Sequence, residues 1–264
     1  MTKFDELVSW FSDKDRVIVA LSGGVDSAVV AYAAKKALDY NAIAITADYK
    51  TLSDEEIESA KNVAKEIGIK HKLIEYNELK NPNFVKNDIY RCFHCRSELA
   101  IHLREVAKHE DVKLIVDGTN IDDLDDFRPG IIALKQNGVK SPLVELSIKK
   151  SEVRQIANSL NLSIFDKPSN ACLASRIPHG TEVTSDKLER IEMAEIIVKK
   201  LFGVKQVRVR DHDEIARIEI GRDEMFLLFD QNKLDELDGE LKKLGYKFVA
   251  VEASGYKTGN INVI

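Results

Sequence analysis

Apolar and polar positions follow two different rhythms along this chain. In the first half, short β-branched runs alternate with stretches of helical period. Phe4, Leu7, Val8 and Phe11 share one helix face, so residues 4–12 are expected to form a helix. RVIVAL (16–21) has no polar break and reads as a strand buried on both faces. NAIAITADY (41–49), KHKLIEY (70–76) and VKLIVDGTN (112–120) are further strands. Between them, SAVVAYAAKKAL and SDEEIESAKNVAKEIG (53–68) read as helices. Ser53 is the expected cap of the second, Glu56 closes a capping box and Gly68 ends it. Residues 88–109 carry a C-x-x-C followed by a helical pattern, and Ser151 is expected to open the helix SEVRQIANSLN. Strand–helix alternation at this spacing predicts an α/β fold, a doubly wound parallel sheet with helices on both faces. Ligands of such sheets bind at the carboxyl ends of the strands.

After about residue 183 the rhythm changes. LERIEMAEIIVKKLFG is a helix, VKQVRVRDH and EIARIEIG are alternating strands, residues 230–245 are a helix and YKFVAVEAS is a last strand. This order predicts a smaller C-terminal α+β domain. The boundary falls in the polar stretch HGTEVTSDK, giving domains 1–180 and 181–264.

Composition narrows the setting. Hydrophobic residues make up 44% and charged residues 31% of the 264 positions, a composition that supports a sizeable core. No apolar run is long enough for a membrane helix, and the acidic, amphipathic N-terminus lacks the pattern of a signal peptide, so a cytoplasmic location is expected. The net charge of −5 argues against a nucleic-acid binder. Three cysteines cannot all pair, so metal or redox chemistry is the better expectation than a disulfide framework.

The chemistry concentrates in a few segments. SGGVDS, Ser22 to Ser27, stands between a buried strand and a helix. Gly23 and Gly24 let the backbone approach an oxyanion, the helix start offers free N–H groups, and Ser22 and Ser27 add hydroxyls. Asp26 is placed to hold Mg2+ or to cap the helix. The G-K-[ST] ending of a Walker loop is absent.

SGGVDS resembles the pyrophosphate loop of the N-type ATP pyrophosphatases, which cleave ATP between the α- and β-phosphates, adenylate an oxygen and displace AMP with nitrogen or sulfur. That resemblance implies an adenosine cradle at ITADY, with Asp48, and a second ATP and metal loop at DGTNIDD, with Thr119 and Asp123. A solvated acidic loop is the plain alternative for Asp122 and Asp123. DGTNIDDLDDFRPG, SPLVELSIKKSEVRQIANSLNL, FDKPSNACLASRIPHG and VRVRDH are together similar to the LarE family of sulfur transferases in nickel-pincer cofactor biosynthesis, over nearly the whole chain. The resemblance implies ATP- and Mg2+-dependent adenylation of the carboxylates of pyridinium-3,5-biscarboxylic acid mononucleotide, then replacement of AMP by sulfur. It also implies a homo-oligomer built through the C-terminal domain, a small-molecule substrate, a sulfur donor, and neither nucleic-acid nor membrane partners.

Cys172 matches the cysteine that in one LarE type gives up its own sulfur. Cys92 and Cys95, in RCFHCRSEL, are additional to that type. Three thiolates suit a 4Fe–4S cluster with one iron left open for a sulfur ligand, and a second LarE type resembles this arrangement. Zinc is the rival metal, with His94 as a poorly placed fourth ligand, and plain thiols at a helix start are the alternative. Arg208 and Arg210 share one strand face and match a segment near an anion site in the family; a solvated face carries equal weight. Arg128, Arg176 and Lys167 are further candidates for substrate or AMP contact. Two rival functions remain: a tRNA thiolation enzyme, against which the acidic charge counts, and an amide-forming synthetase, which has no use for the cysteines.

Overall fold

A computed structural model of the chain describes residues 1–124, 128–168 and 171–257. Asp126 and Phe127 of the DFRPG segment, and Ser169 and Asn170 before Cys172, lie outside the described residues. In chain order the helices are α1 (Lys3–Phe11), α2 (Val25–Leu38), α3 (Asp54–Ile67), α4 (Pro82–Val85), α5 (Arg91–His109), α6 (Pro129–Gln136), α7 (Pro142–Glu145), α8 (Lys150–Ser159), α9 (Ser185–Phe202) and α10 (Gln231–Lys243). The strands are β1 (Val17–Ala20), β2 (Ala42–Asp48), β3 (Lys70–Glu75), β4 (Leu114–Val116), β5 (Val207–His212), β6 (Ile215–Ile220) and β7 (Phe248–Val251).

The chain divides into two compact units. The first comprises Met1–Glu78 and Tyr90–Asn170; the second comprises Leu79–Ile89 and Ala171–Ile264. The passage to the second unit thus falls about ten residues before the polar stretch, and the segment 79–89 joins it from far away in sequence. Asn87 explains the attachment: its Nδ2 donates to the carbonyls of Pro178 at 2.9 Å and Thr181 at 2.7 Å, and Val183 N–H donates to Val85 O at 3.0 Å.

The first unit is an α/β layer structure around a parallel four-stranded sheet, ordered β3-β2-β1-β4. β1 and β2 are buried along almost their whole length, as expected of apolar runs covered on both faces. β3, with Lys70 and Lys72, is an edge strand. α2 is alanine-rich, and Ala28, Val29, Val30, Ala31, Ala33 and Ala34 are all fully buried against Phe11, Val19, Leu143 and Val153 in one core. β1 pairs β2 on one side and β4 on the other, so the chain moves outward from β1 through β2 to β3 and then crosses back to place β4 on the opposite side of β1. That reversal opens a crevice at the carboxyl ends of β1 and β4, the usual ligand position of such sheets.

Two local expectations change. Ser53 is the N-cap of α3, yet its hydroxyl makes no capping bond and Glu56 does not close a box, because Glu56 turns instead to Lys167. Gly68 does end the helix, in the left-handed conformation with φ 71°. α8 is capped at Lys149 and begins at Lys150, not at Ser151. Glu152 accepts the Lys149 N–H at 2.8 Å and supplies the acid of the cap.

The second unit is a three-stranded sheet, β5-β6-β7, with β5–β6 antiparallel and β6–β7 parallel. Its core joins Val198 and Phe202 of α9, Val207 and Val209 of β5, Ile218 of β6, Leu237 and Leu241 of α10, and Tyr246. No helix among the described residues is long and apolar enough to cross a membrane.

Candidate active site

The phosphate loop is organised around one hydroxyl. Ser27 Oγ accepts from Ser22 N–H at 3.2 Å, donates to Gly24 O at 3.1 Å and lies 3.1 Å from Ser22 Oγ. Ser27 is buried, so it shapes the loop from within, whereas Ser22 is exposed. Gly24 is the N-cap of α2, leaving the first N–H groups of that helix directed out of the loop. Gly23 has φ 76°, and a Cβ there would stand 2.7 Å from Glu56 O and 2.9 Å from Ala60 N of α3. Only glycine satisfies both the backbone angle and the space.

Lys167 serves this loop. Its Nζ donates to Gly23 O at 3.1 Å, to Ser59 Oγ at 2.7 Å and to Glu56 Oε2 at 3.0 Å. The ammonium expected at substrate or AMP therefore clamps the loop onto α3. Arg154 holds the segment that carries it, donating to Phe165 O at 2.8 Å and Lys167 O at 2.9 Å.

The DGTNIDD segment lies directly against the loop. A Cβ on Gly118 would stand 2.5 Å from Ser27 N and 2.8 Å from Ser27 Cα. Asp117, held protonated more readily than usual by its burial, accepts from Thr119 N–H at 3.1 Å and Thr119 Oγ1 at 2.7 Å. Asn120 then bridges the two candidate metal ligands. Its Nδ2 donates to Asp26 Oδ1 at 3.2 Å, and its backbone N–H donates to Asp123 Oδ2 at 3.1 Å. Each carboxylate also carries a side-chain cation: Lys150 Nζ sits on Asp26 Oδ2 and Arg128 Nη1 on Asp123 Oδ1. Asp122 is not merely solvated, since it accepts the Lys150 N–H at the start of α8 at 2.8 Å. Asp48 accepts from Lys50 through both backbone and ammonium, closing the turn after β2.

This donor set suits Mg2+. The ion takes hard oxygen ligands and commonly binds through one or two carboxylates plus substrate phosphates. Asp26 and Asp123 are such a pair, aligned by one asparagine, and the Lys150 ammonium on Asp26 shows a carboxylate placed to receive a cation. Lys150 and Asn120 escaped the sequence reading. Nothing local marks a lysine 124 positions from its partner.

Cys92 and Cys95 lie at the start of α5, three residues apart and so on neighbouring positions of one helix face. Cys92 is exposed and Cys95 is buried. α6 packs on this turn because Gly130 has no side chain: a Cβ there would stand 2.9 Å from Arg96 Cγ and 3.2 Å from Cys92 O. Beside Cys95 stands Glu78, which is fully buried and accepts from Thr51 Oγ1 at 2.9 Å. Burial pushes its carboxyl up to about 7, against the hydrogen bonds of Cys95 and Thr51.

Cys172 belongs to the second unit, where it is half-buried and precedes the turn Leu173–Arg176. Arg176 is completely buried beneath that turn. Its Nη1 donates to Ala171 O at 2.6 Å and Cys172 O at 3.0 Å, while Nε and Nη2 each meet a Glu195 oxygen at 2.8 Å. Burial raises the Glu195 carboxyl, but the Arg176 charge outweighs this and holds it low. Arg176 thus supports Cys172. Arg210 donates to Ser175 O at 3.0 Å and to Glu219 at 2.8 Å. Arg208 lies with its guanidinium 5.3 Å from the Tyr256 ring; burial, with Arg176 nearby, lowers it to about 10. Both arginines of VRVR are buried, so the strand face is not solvated. The two thiols of α5 suit neighbouring ligands of one metal centre; among the described residues, no group of three or more His, Cys, Asp or Glu side chains forms a metal site.

Similarity to known proteins places this geometry. A family model described as NAD synthase matches residues 7–88, the span of the phosphate loop. An uncharacterized protein of Synechocystis, slr1717, is 43% identical over 99% of this chain and 97% of its own length. The pyridinium-3,5-bisthiocarboxylic acid mononucleotide synthase of Lactiplantibacillus plantarum is 32% identical over 99% of this chain and 94% of its own. A tRNA-specific 2-thiouridylase from Beijerinckia indica is more distant, 25% identical over 78% of this chain and 56% of its own length. The match to the mononucleotide synthase spans both units, phosphate loop and Cys172 turn alike, and on that ground this chain belongs to the pyridinium-3,5-bisthiocarboxylic acid mononucleotide synthase family.

Proposed function

We propose that this protein is a cytoplasmic, ATP-dependent sulfur transferase that converts the carboxylates of pyridinium-3,5-biscarboxylic acid mononucleotide into thiocarboxylates. The observation that carries the reading is the joined loop pair. SGGVDS and DGTN meet at the carboxyl ends of β1 and β4, with Asp26 and Asp123 bridged by Asn120. This arrangement supports binding a triphosphate with Mg2+. The N–H groups at the start of α2 receive phosphate oxygens. Mg2+ on Asp26 and Asp123 would offset the charge on the departing pyrophosphate.

In the first step a substrate carboxylate oxygen attacks the α-phosphorus. A P–O bond forms, the bond to the β-phosphate oxygen breaks, and pyrophosphate leaves. In the second, a sulfur nucleophile adds to the acyl carbon and AMP departs with the bonding pair. A 4Fe–4S cluster held by Cys92, Cys95 and Cys172 would supply that sulfur as hydrosulfide. Arg176 holds the Cys172 turn by its carbonyls, and Glu195 keeps the guanidinium in place. Arg208 and Arg210, in the same region, would face an anionic substrate as part of this reading. Assembly into a homo-oligomer through the second unit belongs to the same proposal.

The test is the protein purified without oxygen, beside Cys92→Ala, and incubated with ATP, Mg2+, the mononucleotide and sulfide. About four irons per chain in the wild type, lost in the variant, with thiocarboxylate, AMP and pyrophosphate formed over many turnovers, is the expected result. Iron-free protein that makes product once per chain while Cys172 loses the mass of hydrogen sulfide would replace the cluster by a sacrificial Cys172. Adenylation of tRNA and not of the mononucleotide would overturn the substrate.

A further inference from the structure

The segment after β7 turns back onto the sheet of the second unit and delivers one aromatic ring to it. Glu252 N–H donates to Ile218 O at 2.9 Å and Tyr256 N–H to Ile220 O at 2.7 Å, so the chain leaves the ladder after Glu252 and rejoins the end of β6. Between these points the Glu252 carboxylate accepts from Ser254 N–H at 3.2 Å and from Ser254 Oγ at 3.0 Å. Gly255 makes the turn with φ 69°, and a Cβ there would stand 3.0 Å from Ile220 O. Hydrogen bonds and a glycine therefore set this turn, and the ring of Tyr256 is not needed to form it.

The ring has a setting unlike that of its neighbour Tyr246, which is 2% exposed inside the core of the second unit. Tyr256 is half-buried and stands outside that core. It already attracts a cation: Arg208 Cζ lies 5.3 Å from the ring centroid, inside the ~6 Å over which the negative face of a ring holds a positive charge. It is also close to the sulfur. The Arg176 guanidinium, whose Nη1 holds Cys172 O at 3.0 Å, is within electrostatic reach of both the Cys172 thiol and the Tyr256 phenol. A half-open phenol ring, an arginine against it and the Cys172 turn thus share one neighbourhood of one unit. A purely apolar slot would take any planar ring. An electron-rich ring flanked by a guanidinium selects a ring that is positive at its centre and negative at its rim.

We propose that Tyr256 is the specificity-determining residue for the pyridinium ring: the cationic ring of the substrate stacks on the phenol, and a ring carboxylate turns to Arg208 beside it. The positive charge of the pyridinium nitrogen is spread over the ring that faces the phenol, while the carboxylates stand at its edge, where a planar guanidinium can pair with them. The inference rests on the substrate part of the proposed function and adds a residue to it.

Two probes separate the charge of the ring from the charge of the carboxylates. N-methylpyridinium-3,5-dicarboxylate and 5-methylisophthalate have the same outline and the same two carboxylates, but only the first has a cationic ring. Both are titrated calorimetrically into wild type, Tyr256→Phe and Tyr256→Leu at one ionic strength. Arginines alone favour the isophthalate, whose net negative charge is larger. Wild type is nonetheless expected to bind the pyridinium about five- to ten-fold more tightly, the size of one cation–π contact. Tyr256→Phe keeps most of that preference, because the aromatic face remains. Tyr256→Leu loses it, while its affinity for 5-methylisophthalate stays within about two-fold of wild type, since that probe makes no cation–π contact. A preference that survives in Tyr256→Leu overturns the inference. So does an equal loss of both probes, which is what a ring that merely covers Arg208 would give. A wild type that binds both probes alike sinks this inference alone and leaves the arginines as the anion contacts. A wild type that binds neither removes the reading of those arginines, and the inference falls with it.

Discussion

The two units hold their charges in opposite ways. Around the phosphate loop of the first, the pairs Lys150–Asp26 and Arg128–Asp123 are partly open to water, and each joins residues on different elements through a single contact. Beneath Cys172 in the second, Arg176 and Glu195 are bidentate and sealed, and Arg210 pairs with a fully buried Glu219. Water-exposed pairs are weak and replaceable, whereas buried ones are costly to disturb once formed. The charges of one region are thus replaceable. Those of the other fix the backbone on either side of Cys172. Sequence alone does not separate the two cases, because both read as arginine, lysine and carboxylate in polar segments.

The sharpest break in this comparison is Glu195→Ala. It leaves the Arg176 guanidinium buried without its counter-charge and deprives Val209 N–H of an acceptor now at 3.0 Å. Removing one partner of a buried pair destabilises by about 3–5 kcal/mol. Urea unfolding of the variant should show a loss of that size in the transition that reports on the second unit. A loss below about 1 kcal/mol would mean that the pair is no more than a surface contact in energetic terms.

A smaller effect is expected at the junction of the two loops. Gly118→Ala places a methyl 2.5 Å from Ser27 N, and the atoms it meets are backbone, unable to swing aside. Overpacking of this kind costs about 1–3 kcal/mol. Because the strain falls on the N–H of the phosphate loop, the variant should lose ATP affinity, measured by calorimetry, by more than its fall in unfolding midpoint suggests. Full ATP affinity together with wild-type stability would show that the two loops do not bear on one another.

Much of the fold was legible because its signals are local. The buried runs at 16–21 and 41–49 became β1 and β2, and Gly68 ended α3 as read. α6 and α7 were missed: each is short, starts at a proline and has too few turns to show a helical period. SGGVDS was visible as a loop since its glycines, hydroxyls and flanking strand are contiguous. What it rests on was not. Lys167 reaches Glu56 across 111 positions and Lys150 reaches Asp26 across 124, and only the folded sheet brings them together. Ser53 and Glu56 had the spacing of a capping box, but the tertiary partner Lys167 outcompeted the local one. Arg176 and Arg210 read in the sequence as candidates for anion contact, and what the sequence could not show is the carbonyls and glutamates that their guanidinium groups meet in the fold.

The smallest effect is the one that sharpens the comparison most. A partly exposed pair such as Lys150–Asp26 should contribute little to holding the fold. Its ammonium is partly solvated, its partner keeps the Asn120 hydrogen bond, and the α8 cap depends on the Lys150 backbone and not on its side chain. Lys150→Gln should therefore change the unfolding free energy by about 0–1 kcal/mol, the range of exposed pairs, while Glu195→Ala costs several times more. The two variants can be compared in the same urea titration without nucleotide. A loss above about 2 kcal/mol for Lys150→Gln would place its ammonium among the fixed charges and erase the contrast between the units. A near-zero change would instead keep the pair among replaceable charges and leave the buried pairs of the second unit as the ones that hold the fold.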